Sequence, residues 1–356
     1  MVHAGRQART RSAACSTGPK INMRDIIYSL PDQLLQAVTF VPGTARASRH
    51  ANKVVVCGMG GSGISGEILS ILYPEVSIRS SKDYNIPASV GKGTLAILIS
   101  YSGNTEETLA NYRYLSKLKV PLVTVSSNGR LQQKRVLFKV KVPAGLPPRG
   151  ALGYLYGPLP VILHRFGLIK DNPVFGIINL VAFLKRERND LDRAGEKIAS
   201  HLTDKFVFIY ANSPAFGVVA NRWRCQLNEN SKVICHTNVI PEMNHNEIVG
   251  FGRPRGLRAA SAVILLNDPA AHARNKLRTT ILKEIIQNET SEVLEIEPQG
   301  KDLAQRVFWT IMLGDFLSYH LAVKTGIDPL PVKRIDYLKQ RLSAPGVLFL
   351  INGRKR

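Results

Sequence analysis

Twice in the first third of the chain, an apolar run too short for a helix passes straight into a glycine- and hydroxyl-rich loop that opens a helical pattern. Lys53–Cys57 leads into Gly58-Met59-Gly60-Gly61-Ser62-Gly63 and a helix from about Ser62 to Leu72. Thr94–Ser100 leads into Tyr101-Ser102-Gly103-Asn104 and a helix from Thr105 to about Lys117. A strand followed at once by a helix does not hairpin back. Its successor runs parallel to it, with the helix covering one face of the sheet.

The rhythm continues through strands at Pro121–Ser126 and Leu137–Val142 and helices at Leu155–His164, Val174–Arg186 and Asn189–Leu202. It then restarts. Strands are expected at Phe206–Tyr210, Lys232–Thr237, Ala262–Leu266 and Ser291–Ile296, with helices at Ala215–Glu229, Arg274–Gln287, Leu303–Lys324 and Asp336–Leu342. Gly346–Ile351 reads as a short strand or tail. The chain of 356 residues, 44% apolar, has room for two such units with ordinary cores. We therefore expect two α/β units, residues 23–184 and 185–356, joined through the charged helical segment Lys185–Lys197.

Residues 1–22 hold no acidic side chain and no apolar stretch of the kind a secretory signal needs. They are expected as a disordered basic leader, or an extension upstream of a start at Met23, which precedes the first expected helix, Arg24–Thr39. A membrane span is excluded, because Gly150–Leu163 and Pro173–Leu184 fall short of about 18 apolar residues and are interrupted by Gly, Pro or Asn. The four cysteines are scattered, with no pair or histidine partner at metal spacing, which fits a reducing cytoplasm. The formal net charge of +22 is the one unusual figure. Part of it sits in the terminal segments and the rest is spread along the body. Without a helix-turn-helix, zinc module or basic–aromatic interleaving, it does not by itself make a nucleic-acid-binding protein.

The first glycine loop matches GxGxxG, with Asp83 following 20 residues after Gly63, the spacing of a dinucleotide site. Its chemistry argues otherwise. Gly66 and the anionic Glu67 stand in the first helical turns, and Asp83 follows Ser80-Ser81-Lys82 instead of closing an apolar strand. The second loop places hydroxyls at Ser100, Ser102 and Thr105 around Gly103 and a fresh helix N-terminus, a cradle suited to a phosphate monoester. A capping box, Thr105 with Thr108 or Asn104 with Glu107, is also expected there. Gly61, Ser62, Ser100, Ser102 and Thr105 are thus candidate phosphate-binding residues at the carboxyl ends of neighbouring parallel strands, where open α/β sheets bind ligands.

Gly-Met-Gly-Gly-Ser-Gly with Ser-Tyr-Ser-Gly-Asn-Thr-Glu-Glu-Thr resembles the sugar isomerase (SIS) fold. Leu-Asn-Glu-Asn-Ser-Lys (227–232) and Pro-Glu-Met-Asn-His-Asn-Glu (241–247) are similar to stretches of the archaeal bifunctional phosphoglucose/phosphomannose isomerases. The resemblance spans about Met23 to Leu342 and implies two SIS-type, doubly wound (flavodoxin-like) parallel-sheet domains with helices on both faces. It implies an isomerase of glucose 6-phosphate and fructose 6-phosphate, and of mannose 6-phosphate. It also implies a homodimer, with Glu229 as the catalytic base, Arg149 beside the reacting carbons, His245 opening the sugar ring from the neighbouring subunit, and Lys339 as a C-terminal active-site lysine. The position seven before Lys339, polar in relatives, is Val332 here.

The chemistry matches these residue types. Aldose–ketose isomerisation passes a proton between C1 and C2 through a cis-enediolate and requires no cofactor or metal. One carboxylate can carry the proton both ways, a permanently charged guanidinium stabilises the enediolate oxygens, and a histidine suits ring opening. The same residues have structural uses. Glu229 could pair with Lys232, His245 could be a cap or a buried structural histidine, and Arg149 and Lys339 could be solvated charges. A non-catalytic sugar-phosphate sensor is the alternative: it needs the two loops but has no use for Glu229, His245 and Arg149 together.

Overall fold

The computed structural model describes residues 22–43 and 51–343. The expected leader and the strand or tail at Gly346–Ile351 lie outside the described residues, apart from Asn22. That residue caps the first helix, α1 (Met23–Tyr28), by accepting from the Arg24 N–H. One helix was expected over Arg24–Thr39. Instead the chain breaks at Ser29 and continues as α2 (Leu30–Ala37), with Pro31 in its first turn, where the missing N–H costs nothing.

The first sheet follows as β1 (Lys53–Cys57), α3 (Gly60–Leu72), β2 (Ser77–Ser81), β3 (Thr94–Ile99), α4 (Glu106–Lys117), β4 (Leu122–Ser126), the short α5 (Gly129–Gln132) and β5 (Phe138–Lys141). All pairings are parallel, in the order β2-β1-β3-β4-β5. β2 was not anticipated. It is polar and half exposed because it lies at the edge of the sheet, so Asp83 does follow a strand, though not the apolar one that a dinucleotide site would have. Central β3, by contrast, is buried at every position, as a parallel strand covered on both faces requires.

After α6 (Leu152–Tyr156) and α7 (Pro158–Arg165), separated at Gly157–Pro158, comes α8 (Pro173–His201). This single helix of 29 residues replaces the two that were expected. The charged run Lys185–Asn189 contains no Gly or Pro to break the helix, which crosses the expected division between residues 184 and 185. Beyond the charged run, Asp192 is buried and accepts from Arg24, Tyr28 and His320, drawing α1 onto α8.

The second sheet comprises β6 (Phe206–Ala211), α9 (Pro214–Gln226), β7 (Cys235–Val239), β8 (Ser261–Leu266), α10 (Ala273–Ile286) and β9 (Glu292–Ile296). Its strands are parallel in the order β7-β6-β8-β9, and α11 (Leu303–Lys324) and α12 (Lys333–Ser343) close the described chain. Alternate residues of β1 point to opposite faces. Val54 and Val56 join a core that also contains Val207 and Ile209 of β6, while Val55 and Cys57 pack with Leu109 and Leu115 of α4. The two sheets thus share one continuous core, filled by α3, α6, α8, α9 and α11. The α4 and α10 helices cover the outer faces.

Candidate active site

The strand order of the first sheet reverses between β1 and β3, and the two glycine loops stand at the carboxyl ends of those strands. Gly103 has φ +70°, and an added Cβ would overlap the Asn128 carbonyl, so only glycine permits this turn. Ser62 Oγ accepts from the Tyr101 N–H at 3.3 Å, tying one loop to the other. Ser100 Oγ meets Thr105 Oγ1 at 2.8 Å, and Ser102 Oγ accepts from the Asn104 N–H.

The expected capping box is absent. Thr105 stands at the N-cap of α4 but makes no side-chain cap bond, because its hydroxyl is engaged with Ser100. Asn104 is also diverted, accepting instead from the Arg130 N–H. The first-turn N–H groups of α4 are therefore left without a side-chain partner, the arrangement that favours an anion.

Gly61 connects this crevice to Arg149. A Cβ there would lie 2.9 Å from the Pro148 carbonyl oxygen and 3.2 Å from the Arg149 Cα, so a side chain at 61 would push the Arg149 turn away. Arg149 is buried on the 3₁₀ turn Pro148–Gly150. Its Nε donates to Asn230 Oδ1 at 2.6 Å, and Nη2 donates to the Pro329 and Leu330 carbonyls at 2.6 and 3.0 Å. With three of the five N–H donors so engaged, the Nη1 pair remains, and it faces Glu229 Oε2 at 3.5 Å. Burial lowers the Arg149 pKa from its ordinary value, opposed by the charges of Glu229 and Asp336.

Glu229 lies on a π-helical turn, Leu227–Ser231, that continues α9 in place of the regular helix expected to residue 229. Such turns are frequent at functional sites. The turn ends where Lys232 adopts φ +60°. Lys232 Nζ donates to the Glu229 carbonyl, not to its carboxylate, so the local ion pair considered from sequence does not form. The Glu229 side chain is 26% exposed and so open to a ligand.

The residues that hold this arrangement gave no local signal. Arg222 donates to Asp315 at 3.1 and 2.6 Å and to the Arg149 carbonyl at 3.2 Å, and Gln226 reinforces Asp315. Asn230 was visible inside a quoted motif. Its amide donates to Ser318 while its oxygen receives Arg149.

His245 and Lys339 are not brought into this cluster. His245 is exposed on the 3₁₀ turn Glu242–His245 and has no side-chain hydrogen bond among the described residues, so it is neither a cap nor a buried structural histidine. Lys339 is exposed on α12. That helix starts just beyond the carbonyls that receive Arg149, and Asp336 stands one turn before Lys339. Val332 offers only its carbonyl, to the Ile335 and Asp336 N–H groups.

Two flavodoxin-like sheets around a shared core, with an open hydroxyl-lined crevice in the first, define a protein of the SIS class. Residues 191–342 match the family model described as the bacterial phospho-glucose isomerase C-terminal SIS domain. The C-terminal domain of glucosamine-fructose-6-phosphate aminotransferase from Francisella tularensis superimposes with a TM-score of 0.68 at 18% identity, covering 89% of this chain and 100% of that one. The bifunctional phosphoglucose/phosphomannose isomerase of Caldicellulosiruptor bescii is 35% identical over 90% of this chain and 99% of its own length. That of Aquifex aeolicus is 33% identical over 81% and 90%. The chain belongs to the bifunctional phosphoglucose/phosphomannose isomerase family.

Proposed function

We propose that this protein interconverts glucose 6-phosphate and fructose 6-phosphate, and mannose 6-phosphate and fructose 6-phosphate, through a shared cis-enediolate. The observation that carries this reading is the meeting of Arg149 and Glu229 beside Gly61. It joins a base and a fixed cation to the edge of the phosphate crevice. The sugar phosphate enters with its phosphate against Gly61, Ser62, Ser100, Ser102 and Thr105 and the uncapped turn of α4.

His245 then moves a proton between the anomeric hydroxyl and the ring oxygen, giving the open-chain aldose. Glu229 removes the C2 proton and returns it to C1, while the O2 hydroxyl proton is transferred to O1. Arg149 Nη1 donates to the enediolate oxygens as charge builds on them, a role that elsewhere contributes about 2.7–4 kcal/mol per donor. Lys339 approaches the sugar from α12. Glucose and mannose 6-phosphates differ only at C2 and share the enediolate, so one base serves both once rotation about the C2–C3 bond presents the opposite face of C2 to Glu229.

His245 serves the neighbouring subunit of a homodimer. Two features support this: its imidazole is exposed and makes no hydrogen bond or ion pair with Arg149 or Glu229 of its own chain, and an open aromatic cavity of about 430 Å³, lined by Phe206, Phe208, Tyr210 and Phe251, lies beside Glu247, two residues on from it. Action in the cytoplasm accords with Cys57, Cys225 and Cys235 all being free thiols. No described helix is long and apolar enough to cross a membrane.

The test is a coupled assay on the purified protein with EDTA present. Given fructose 6-phosphate, it should form both glucose 6-phosphate and mannose 6-phosphate. Glucose 6-phosphate alone would make Val332 the first suspect for lost breadth. Tight binding with neither product would replace the isomerase by a sugar-phosphate sensor.

A further inference from the structure

The crossovers from β6 to β7 and from β8 to β9 carry the α-helices α9 and α10, but the one from β7 to β8 is built of short 3₁₀ turns, Glu242–His245, Glu247–Gly250 and Arg255–Leu257. A 3₁₀ turn is a weak frame for a group that must meet a sugar hydroxyl. This one is anchored on two sides. Behind it, Ile240 and Met243 are buried against Tyr210, Val263, Leu265, Leu282 and Ile286. In front, the Glu247 carboxylate accepts from the Tyr210 hydroxyl at 3.0 Å and from the Asn238 amide, and lies 2.9 Å from His236 Nε2. Those three partners come from β6 and β7. Between the anchors, Asn246 accepts from the Glu247 N–H at 2.7 Å and donates to Glu242 at 3.0 Å, bracketing His245.

We propose that Glu247 is a positioning residue for ring opening, latching the turn that carries His245 to strands β6 and β7. It touches no substrate. Burial and the adjacent Glu247 charge raise the Tyr210 pKa, so its hydroxyl stays a neutral donor to the carboxylate at working pH. The proposal rests on the ring-opening role of His245, and a double-mutant cycle separates the two.

With purified full-length protein and glucose 6-phosphate, His245→Ala should lower kcat/KM, and Glu247→Ala should lower it about tenfold, within the usual coupling between neighbouring residues. Glu247→Gln, which keeps an acceptor for Tyr210, should restore most of that loss. Tyr210→Phe, which removes one bond to the latch and keeps the ring that packs behind the turn, should show a smaller loss. In the His245→Ala background neither Glu247→Ala nor Tyr210→Phe should cost anything further, and fructose 6-phosphate affinity should be unchanged throughout. If the losses multiply in that background, Glu247 acts on the fold and the proposal is overturned. If His245→Ala alone has no effect, the ring-opening role itself fails and the latch falls with it.

Discussion

The two sheets reverse strand order at equivalent places, between β1 and β3 in the first and between β6 and β8 in the second, so the topology offers the same crevice twice. Only one is left open. At the first crevice, the N-caps of both flanking helices, Met59 for α3 and Thr105 for α4, make no side-chain cap bond. At the second, Ser213 caps α9 and His272 caps α10. A buried carboxylate completes the closure. Asp268 accepts from Arg306 at 3.2 Å, from the Ala270 N–H at 3.1 Å and from Ser213 at 3.4 Å. The second crevice already holds its own anion and its own arginine. An α/β switch point is thus only an opportunity for an anion site, and the local side chains decide whether its donors stay free.

The difference is tested hardest where the open crevice meets the second half of the chain. Arg149→Lys keeps the charge but cannot reproduce the fork to Asn230, Pro329 and Leu330. We expect kcat to fall on the order of 10²–10³-fold, as when an oxyanion donor is removed. A near-normal kcat in a folded variant would remove Arg149 from the reaction. Next in size, Ser100→Ala with Thr105→Val should raise KM for fructose 6-phosphate about tenfold, the equivalent of about one hydrogen bond to a charged group, with kcat little changed. A loss confined to kcat would place the phosphate elsewhere. Smallest is Ser213→Ala at the closed crevice, where thermal or denaturant unfolding should show a loss of about 0.5–2 kcal/mol for the missing cap. Its KM should not move; if it does, the second crevice is not closed to substrate.

Much of this division was legible in the sequence, because it is written in local patterns. The strand–loop–helix units announce themselves by a change of apolar period. Leu303–Lys324 has the same bounds in the sequence pattern and in the structure, since a long buried helix carries a strong signal. What escaped depends on position in the assembly. β2 was missed because an edge strand need not be apolar. The single helix α8 fits the pattern of two shorter ones, because the charged stretch at its middle interrupts the apolar period without breaking the helix. The capping box failed because Ser100, five residues earlier and at the end of a different element, takes the Thr105 hydroxyl.

The site divides in the same way. Gly61, Ser62, Ser100, Ser102 and Thr105 stand together as contiguous motifs suggest, and Arg149 meets Glu229 although they lie 80 positions apart in the chain. The Arg222–Asp315 pair that fixes the Arg149 turn spans 93 positions and left no pattern to read. His245 and Lys339 stay outside the cluster in a single chain.

The account stands or falls on a division of labour, with the first crevice holding the phosphate and Glu229 carrying the proton. The direct measurement is to place folded Glu229→Gln protein in D₂O with fructose 6-phosphate, following binding by calorimetry and deuterium at C1 and C2 by NMR. We predict affinity close to that of the unaltered protein, with exchange and isomerisation reduced on the order of 10²–10⁴-fold, the range of a positioned base. Exchange at the unaltered rate, or loss of binding in a protein that is still folded, would contradict it.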